Sequence, residues 1–131
     1  MMEQLLCYFP DPVDPMLSAV RRAALPMKLR VRTAGPGQTG QTLGFLLGRR
    51  GYVEQPGEAP ELPEPILVLD SFTGGRMDIL LRALARAKVP RSVFKAVVTA
   101  TNVDWTLSAL WQELQKEREA LEQDGAPVHQ K

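Results

Sequence analysis

The sequence predicts a small α/β domain with a four-stranded, mainly parallel sheet in the order 2-1-3-4, a minimal flavodoxin-like arrangement with three main helices and one short one. Three observations predict it. The stretch from Pro65 to Leu114 reads as strand, turn, helix, strand, turn, helix, with Ile66-Leu67-Val68-Leu69-Asp70 and Phe94-Lys95-Ala96-Val97-Val98 as the strands. The apolar runs at Leu5-Leu6-Cys7-Tyr8-Phe9, Ile66 to Leu69 and Val93 to Val98 are almost uninterrupted, as in strands covered on both faces. By contrast, Lys28 to Thr33 alternates, Leu29 and Val31 against Lys28, Arg30 and Arg32, so this second strand belongs at an edge. Right-handed crossovers then favour the stated order. A ferredoxin-like antiparallel sheet is the main alternative, but its open face would demand more alternation than the first and third strands show.

The first strand covers Gln4 to Phe9 and ends at Pro10-Asp11-Pro12. Asp14 is the expected N-cap of the first helix, with Pro15 at its first position, where a missing N–H costs nothing. Val13, Leu17, Val20 and Ala24 share one face, and Pro26 stops the helix. Residues 35–65 are too many for a bare loop, and Thr42-Leu43-Gly44-Phe45-Leu46-Leu47 should supply one short helix packed on the sheet. The Pro-, Gly- and Glu-rich stretch 51–65 is expected to be a mobile connector inside a single domain of residues 1–121. The next helix runs from Gly74 or Gly75 to about Lys88, with Met77, Leu80, Leu81, Leu84 and the Lys88 stem on one stripe. The last helix, with Asp104 as cap, buries Leu107, Leu110, Trp111 and Leu114, and a disordered tail is expected over 122–131.

With 44% hydrophobic and 24% charged residues, the composition is that of a soluble globular protein, and no apolar stretch is long enough to cross a bilayer. Met1-Met2-Glu3-Gln4-Leu5 lacks the basic region and long apolar segment of a secretory signal, which makes the cytoplasm the default location. Cys7, the only cysteine, sits in an apolar run and reads as a buried thiol. The sole histidine, His129, falls in a polar tail, so a catalytic Cys/His pair is not indicated.

The net charge of +1 conceals segregation along the chain. From Pro15 to Val53 stand Arg21, Arg22, Lys28, Arg30, Arg32, Arg49 and Arg50 with no acid, and then Glu54, Glu58, Glu61 and Glu64 with no base. Arg76, Arg82, Arg86, Lys88, Arg91 and Lys95 face only Asp78, and the last helix is acidic. Such blocks suit an acidic protein partner or a phosphate backbone if they form surface patches. Nucleic-acid binding would run through the basic 15–53 segment. Trp105 and Trp111, however, lie in the acidic third of the chain rather than among the basic residues.

Gly35-Pro36-Gly37-Gln38-Thr39-Gly40-Gln41-Thr42 matches the phosphate-binding loop pattern except that Gln41 replaces its lysine, and it reads as a Gly-rich turn into the short helix. In a parallel sheet Asp11, Asp70, Thr99 and Thr101 would share the carboxyl edge. That is similar to response-regulator receiver domains, but the fifth strand and its lysine are missing. The densest polar clusters are the two turns at this edge, and they supply the candidate ligand residues Asp70, Ser71, Thr73, Gly74, Thr99, Thr101 and Asn102. The same residue types cap helices and hold turns. A helix start at the carboxyl edge also suits a small anion. No catalytic or metal set is complete, and no cofactor is indicated.

Lys95-Ala96-Val97-Val98-Thr99-Ala100-Thr101-Asn102-Val103-Asp104-Trp105-Thr106, continuing to Leu110-Trp111-Gln112-Glu113-Leu114, resembles the closing motif K-A-V-x-T-x-T-N-x-x-W-T of a bacterial domain-of-unknown-function family of small cytosolic proteins. The opening strand and the element Leu43-Gly44-Phe45-Leu46-Leu47-Gly48 are similar too, so the resemblance spans most of the chain. Family members often carry proline where Ala100 stands. The resemblance implies a single domain and no assigned activity. The sequence therefore points first to a non-enzymatic protein-binding or regulatory module, second to a small anionic-ligand binder or enzyme with its site at the C-terminal edge of the sheet, and third to a weak nucleic-acid binder.

Overall fold

The computed structural model describes residues 2–128. Its elements are β1 (Gln4–Tyr8), α1 (Pro15–Ala24), β2 (Arg30–Ala34), the short α2 (Leu43–Leu46), β3 (Ile66–Asp70), α3 (Arg76–Arg86), β4 (Phe94–Val97) and α4 (Leu107–Val128). Short 3-10 turns lie at Leu25–Met27, Pro36–Gln38 and Asn102–Asp104. No described helix is long and apolar enough to cross a membrane.

The sheet order is β2-β1-β3-β4, as the sequence predicts, with the alternating strand at one edge. The two outer pairings, β1 with β2 and β3 with β4, are parallel. The central pairing is antiparallel, with Gln4 opposite Asp70, Leu6 opposite Val68 and Tyr8 opposite Ile66, so the sheet is mixed. Continuous apolar runs report that a strand is covered on both faces but not which way it runs, and both central strands are buried throughout.

Helices cover both faces. Leu5, Cys7, Phe9, Leu67 and Leu69 pack with Val20 and Ala23 of α1 and Leu80 and Leu84 of α3. Leu6, Tyr8, Ile66, Val68 and Phe94 form the opposite core with Leu43 and Leu46 of α2 and Leu107 and Leu110 of α4. The period-two alternation of strand side chains divides the two cores. Arg118 fastens α4 over β4: its guanidinium carbon lies 3.9 Å from the Phe94 ring centroid, and its N–H groups reach Glu64 and the Ser92 carbonyl.

Asp14 caps α1 by accepting from the Met16 N–H at 2.9 Å, with Pro15 at the first helical position, as expected. Some expected face residues fall elsewhere. Val13 precedes the helix and is exposed, Leu81 lies at the rim of the α3 stripe and is exposed, and Lys88 takes a left-handed conformation (φ 69°) just past the helix end. The cap of α4 is not Asp104, which belongs to the preceding 3-10 turn. The chain becomes extended again at Trp105, and Thr106 Oγ1 accepts from Ala109 N–H instead.

The element order repeats, β-α-β-α followed by β-α-β-α, with a 3-10 turn leading into the last helix of each half. The halves meet reciprocally. Gln4 opposite Asp70 is matched by Ile66 opposite Tyr8, each residue shifted by 62 positions. A lone bridge joins Thr42 to Thr106, where Leu43 N–H donates to the Trp105 carbonyl and Leu107 N–H donates to that of Gln41. These are the pairings of an approximate two-fold axis through the Leu6–Val68 pair. Thr42-Leu43 and Thr106-Leu107 are the visible sequence trace of it.

Cys7 is fully buried, and burial pushes its thiol from 9.0 up to about 12, against a smaller opposing pull from Arg21. Above pH 9.0 the unfolded thiol ionises while the folded one stays protonated until about 12, so folding stability falls as pH rises through this window. Urea denaturation at a series of alkaline pH values should show a steeper loss for the wild type than for Cys7→Ala; parallel curves would mean that Cys7 does not carry this term.

Candidate functional site

At the end of the sheet where β1 and β2 begin and β3 ends, the antiparallel register sets Gln4 beside Asp70, both on the α2/α4 face. Both are buried, Asp70 to 1% exposure, so their polar atoms need partners from the protein. Gln4 Nε2 donates to Asp70 Oδ2 at 2.9 Å and to the Leu47 carbonyl at 3.0 Å. Its Oε1 accepts from Arg32 Nε at 2.6 Å. Asp70 Oδ1 accepts from Arg49 Nη2 at 2.6 Å and from the Ser71 hydroxyl at 3.0 Å. One carboxylate and one amide thus hold two arginines from different elements in fixed positions.

The alternation of β2 brings Arg30 to the same face as Arg32, and the turn after α2 adds Arg50 to Arg49. Gly48 makes the turn possible. Its φ is 74°, and a Cβ there would come within 2.7 Å of Arg32 Nη2, so the guanidinium packs against bare backbone. Tyr52 lies over Gly44, where a Cβ would meet its ring at 2.6 Å, and its hydroxyl donates to Asp104 Oδ1. That bond and the carboxylate's charge raise the phenol above its usual value, and Arg49 opposes the shift only in part. Around these groups opens a cavity of 610 Å³, lined by the four arginines together with Met2, Gln4, Leu47, Gly48 and Tyr52. Arg30 and Arg50 have no hydrogen-bond or ion-pair partner among the described residues, and Arg49 Nε is buried without one. Four guanidiniums against one carboxylate make this a site for negative charge.

Residues 65–121 match the model of a family described as domain of unknown function (DUF3783). The match begins one residue before β3 and ends within α4, so it covers the second half of the two-fold repeat, a narrower span than the resemblance suggested. No curated protein and no solved structure matches the chain. All seven candidate residues read from the sequence lie in the matched half, and the four arginines lie outside it.

Because β3 and β4 are parallel, Asp70, Ser71, Thr73 and Gly74 and the turn with Thr99, Thr101 and Asn102 follow strands that end at the same edge. Asp70 and Ser71 join the arginine cluster. Ser71 and Gly74 have left-handed backbones, and the Thr73 carbonyl accepts from Arg76 N–H at the start of α3. The second turn is bonded within itself: Thr99 Oγ1 accepts from the N–H groups of Thr101 and Asn102, Asn102 Oδ1 accepts from Thr99 N–H, and its Nδ2 donates to the Val97 carbonyl. No hydrogen bond joins the two turns among the described residues. The start of α4 is occupied as well, since Leu107 and Ser108 N–H donate to the carbonyls of Gln41 and Thr39, and Ala109 N–H to Thr106.

Asp11 does not share the edge with Asp70, because the antiparallel centre sends the end of β1 the other way. This removes the carboxylate pairing that the receiver comparison needs. In the Gly-rich segment, Gln41 exchanges hydrogen bonds with the backbone of Gln55, Thr39 donates to the Pro60 carbonyl, and Thr42 caps α2. A Cβ at Gly40 would strike the Glu58 carbonyl, so residues 55–60 lie across this loop. Among the described residues no group of three or more His, Cys, Asp or Glu side chains gathers to hold a metal, and His129 lies outside them. The arginine cluster escaped the sequence reading as a site, although its parts were visible as the alternating Arg30 and Arg32 and the adjacent Arg49 and Arg50.

Asp70→Asn removes the carboxylate charge paired with Arg49 and should destabilise the fold by about 3 kcal/mol in urea titrations. A loss under about 0.5 kcal/mol would show that solvent, rather than the carboxylate, balances that arginine.

Proposed function

We propose that this protein is a non-enzymatic binding module whose working surface is the arginine cleft, and that it recognises a partner or ligand by negative charge. The observation that carries this reading is the convergence of Arg30, Arg32, Arg49 and Arg50 on one concave surface, in a chain whose formal charge is only +1 overall. The volume of 610 Å³ is in the usual range for a ligand site, about 300 to 1,000 Å³. Apart from the arginines, the one ionisable side chain lining the cleft among the described residues is Tyr52, whose hydroxyl is engaged by Asp104. The lining therefore suits recognition rather than proton transfer or nucleophilic attack.

The anion site then lies at the same edge of the sheet as expected, but on the β2–β1–β3 side rather than between the turns that follow β3 and β4. Asp70 and Ser71 take part as the floor that positions Arg49, and the bonds within the 99–102 turn support a holding role for Thr99 and Asn102. The basic 15–53 segment does not form one stripe for a nucleic-acid backbone. Arg21 and Arg22 border a separate hollow with Leu25, Leu29 and Val31, across β2 from the cleft.

Multivalent anions such as citrate, sulfate and phosphate should raise the thermal unfolding midpoint of the wild type more than that of an Arg30→Gln/Arg50→Gln double variant. The comparison removes the general stabilisation by such salts, which both proteins experience equally. An Arg82→Gln/Arg86→Gln double variant on α3 should respond like the wild type. Equal shifts in all three proteins would refute the cleft as the binding surface.

A further inference from the structure

The two-fold repeat supplies an internal control for the cleft. A shift of 64 residues carries Thr42 to Thr106 and Leu43 to Leu107, and it carries Arg30 and Arg32 to Phe94 and Ala96. In the second half those positions are apolar and lie beneath α4, packed with Leu107, Leu110 and Leu114, while Arg118 closes over Phe94. In the first half the matching helix stops at Leu46, after four residues, and the chain turns away through Gly48. The architecture therefore does not require arginine at these positions. Where one half completes a core, the other leaves an open hollow and fills its rim with guanidiniums.

The charges are arranged in two pairs on two supports. Arg30 and Arg32 stand two residues apart on one face of a strand, which spaces their Cα atoms by roughly 6.6 Å. Arg49 and Arg50 are neighbours in the turn after α2. Arg32 and Arg49 are each held by one nitrogen, to Gln4 and Asp70, which leaves their remaining N–H groups uncommitted to protein acceptors. Among the described residues every cationic side chain in the lining is arginine, whose planar fork suits two oxygens of one phosphate better than a lysine point charge does.

We propose that the cleft binds a small molecule carrying a diphosphate, one phosphate group taken by the Arg30/Arg32 pair and the other by the Arg49/Arg50 pair. The cavity is larger than a diphosphate alone, and the rest of the ligand lies beside Tyr52 and Met2. This proposal rests on the reading of the cleft as an anion site and narrows it to one chemistry.

Isothermal titration of the full chain with pyrophosphate, orthophosphate, citrate and an Asp/Glu-rich peptide tests it. Pyrophosphate should bind at least about tenfold more tightly than each of the other three: orthophosphate offers one group where the cleft has two arginine pairs, and each carboxylate of citrate or the peptide carries less charge and fewer acceptor oxygens than a phosphate. Arg30→Gln and Arg50→Gln should each reduce pyrophosphate affinity to near that of orthophosphate. Both side chains are exposed and without protein partners, so the fold is expected to survive; matching thermal unfolding midpoints of the free proteins would confirm it. Citrate or the peptide binding as tightly as pyrophosphate would overturn the diphosphate proposal and leave the anion site standing, with a carboxylate ligand or an acidic partner protein as its occupant. Equal affinity for pyrophosphate and orthophosphate would likewise overturn it, since the two pairs would not act together. No binding of any of the four would overturn both.

Discussion

The antiparallel pairing of β1 with β3 is the constraint from which the other features follow. Both strands are buried along their whole length, so each face of the sheet has to be roofed by helices, and β2 and β4 are left as the two edges. The direction of the pairing also decides which ends meet. It places the start of β1 against the end of β3, and thereby sets Gln4 beside Asp70. A carboxylate buried to that degree has to be matched by a cation and by hydrogen-bond donors. Arg49, Gln4 and Ser71 provide them, and through Gln4 the same constraint reaches Arg32. The arginines at this end are thus placed by the same register that closes the core.

The opposite end of the central pair shows how differently the same backbone can be dressed. There Tyr8 stands across from Ile66, and its hydroxyl donates to the Leu62 carbonyl at 2.8 Å. One end of the pair is bonded into apolar surroundings and the other is ionic. Because the backbone relation between the halves is nearly symmetric, the difference comes from side chains and from the length of the second helix in each half. A helix of four residues cannot cover what one of 22 residues covers.

Strand order, edge placement and the start of α1 were legible in the sequence because each leaves a local pattern: alternation in Lys28 to Thr33, nearly continuous apolar runs in Gln4 to Phe9 and Ile66 to Leu69, and an Asp14-Pro15 cap. Strand direction left none, since a buried strand looks the same in either sense, and that single unknown misplaced Asp11 relative to Asp70. The start of α4 was read two residues early because Asp104 is as good a capping residue as Thr106; only the backbone excursion at Trp105 separates them. The candidate site was half legible. Asp70 and Ser71 were singled out as a polar strand end, but the Asp70 partners Gln4 and Arg49 are 66 and 21 residues away and meet it only through the register and the turn at Gly48. The repeat was missed because only Thr42, Leu43 and Leu46 recur around the bridge, as Thr106, Leu107 and Leu110, which is too few matches to stand out.

The matched family segment coincides with one half of the molecule, and that half presents β3 with one side unpaired until β1 arrives. In a protein of one such unit, the same closure would need a second molecule and would depend on concentration. Here residues 47–65 run from the end of α2 to the start of β3 and join the two units in one chain. A tether of that kind holds its ends at an effective concentration on the order of millimolar. The meeting of the halves is therefore a first-order event, and dilution does not undo it.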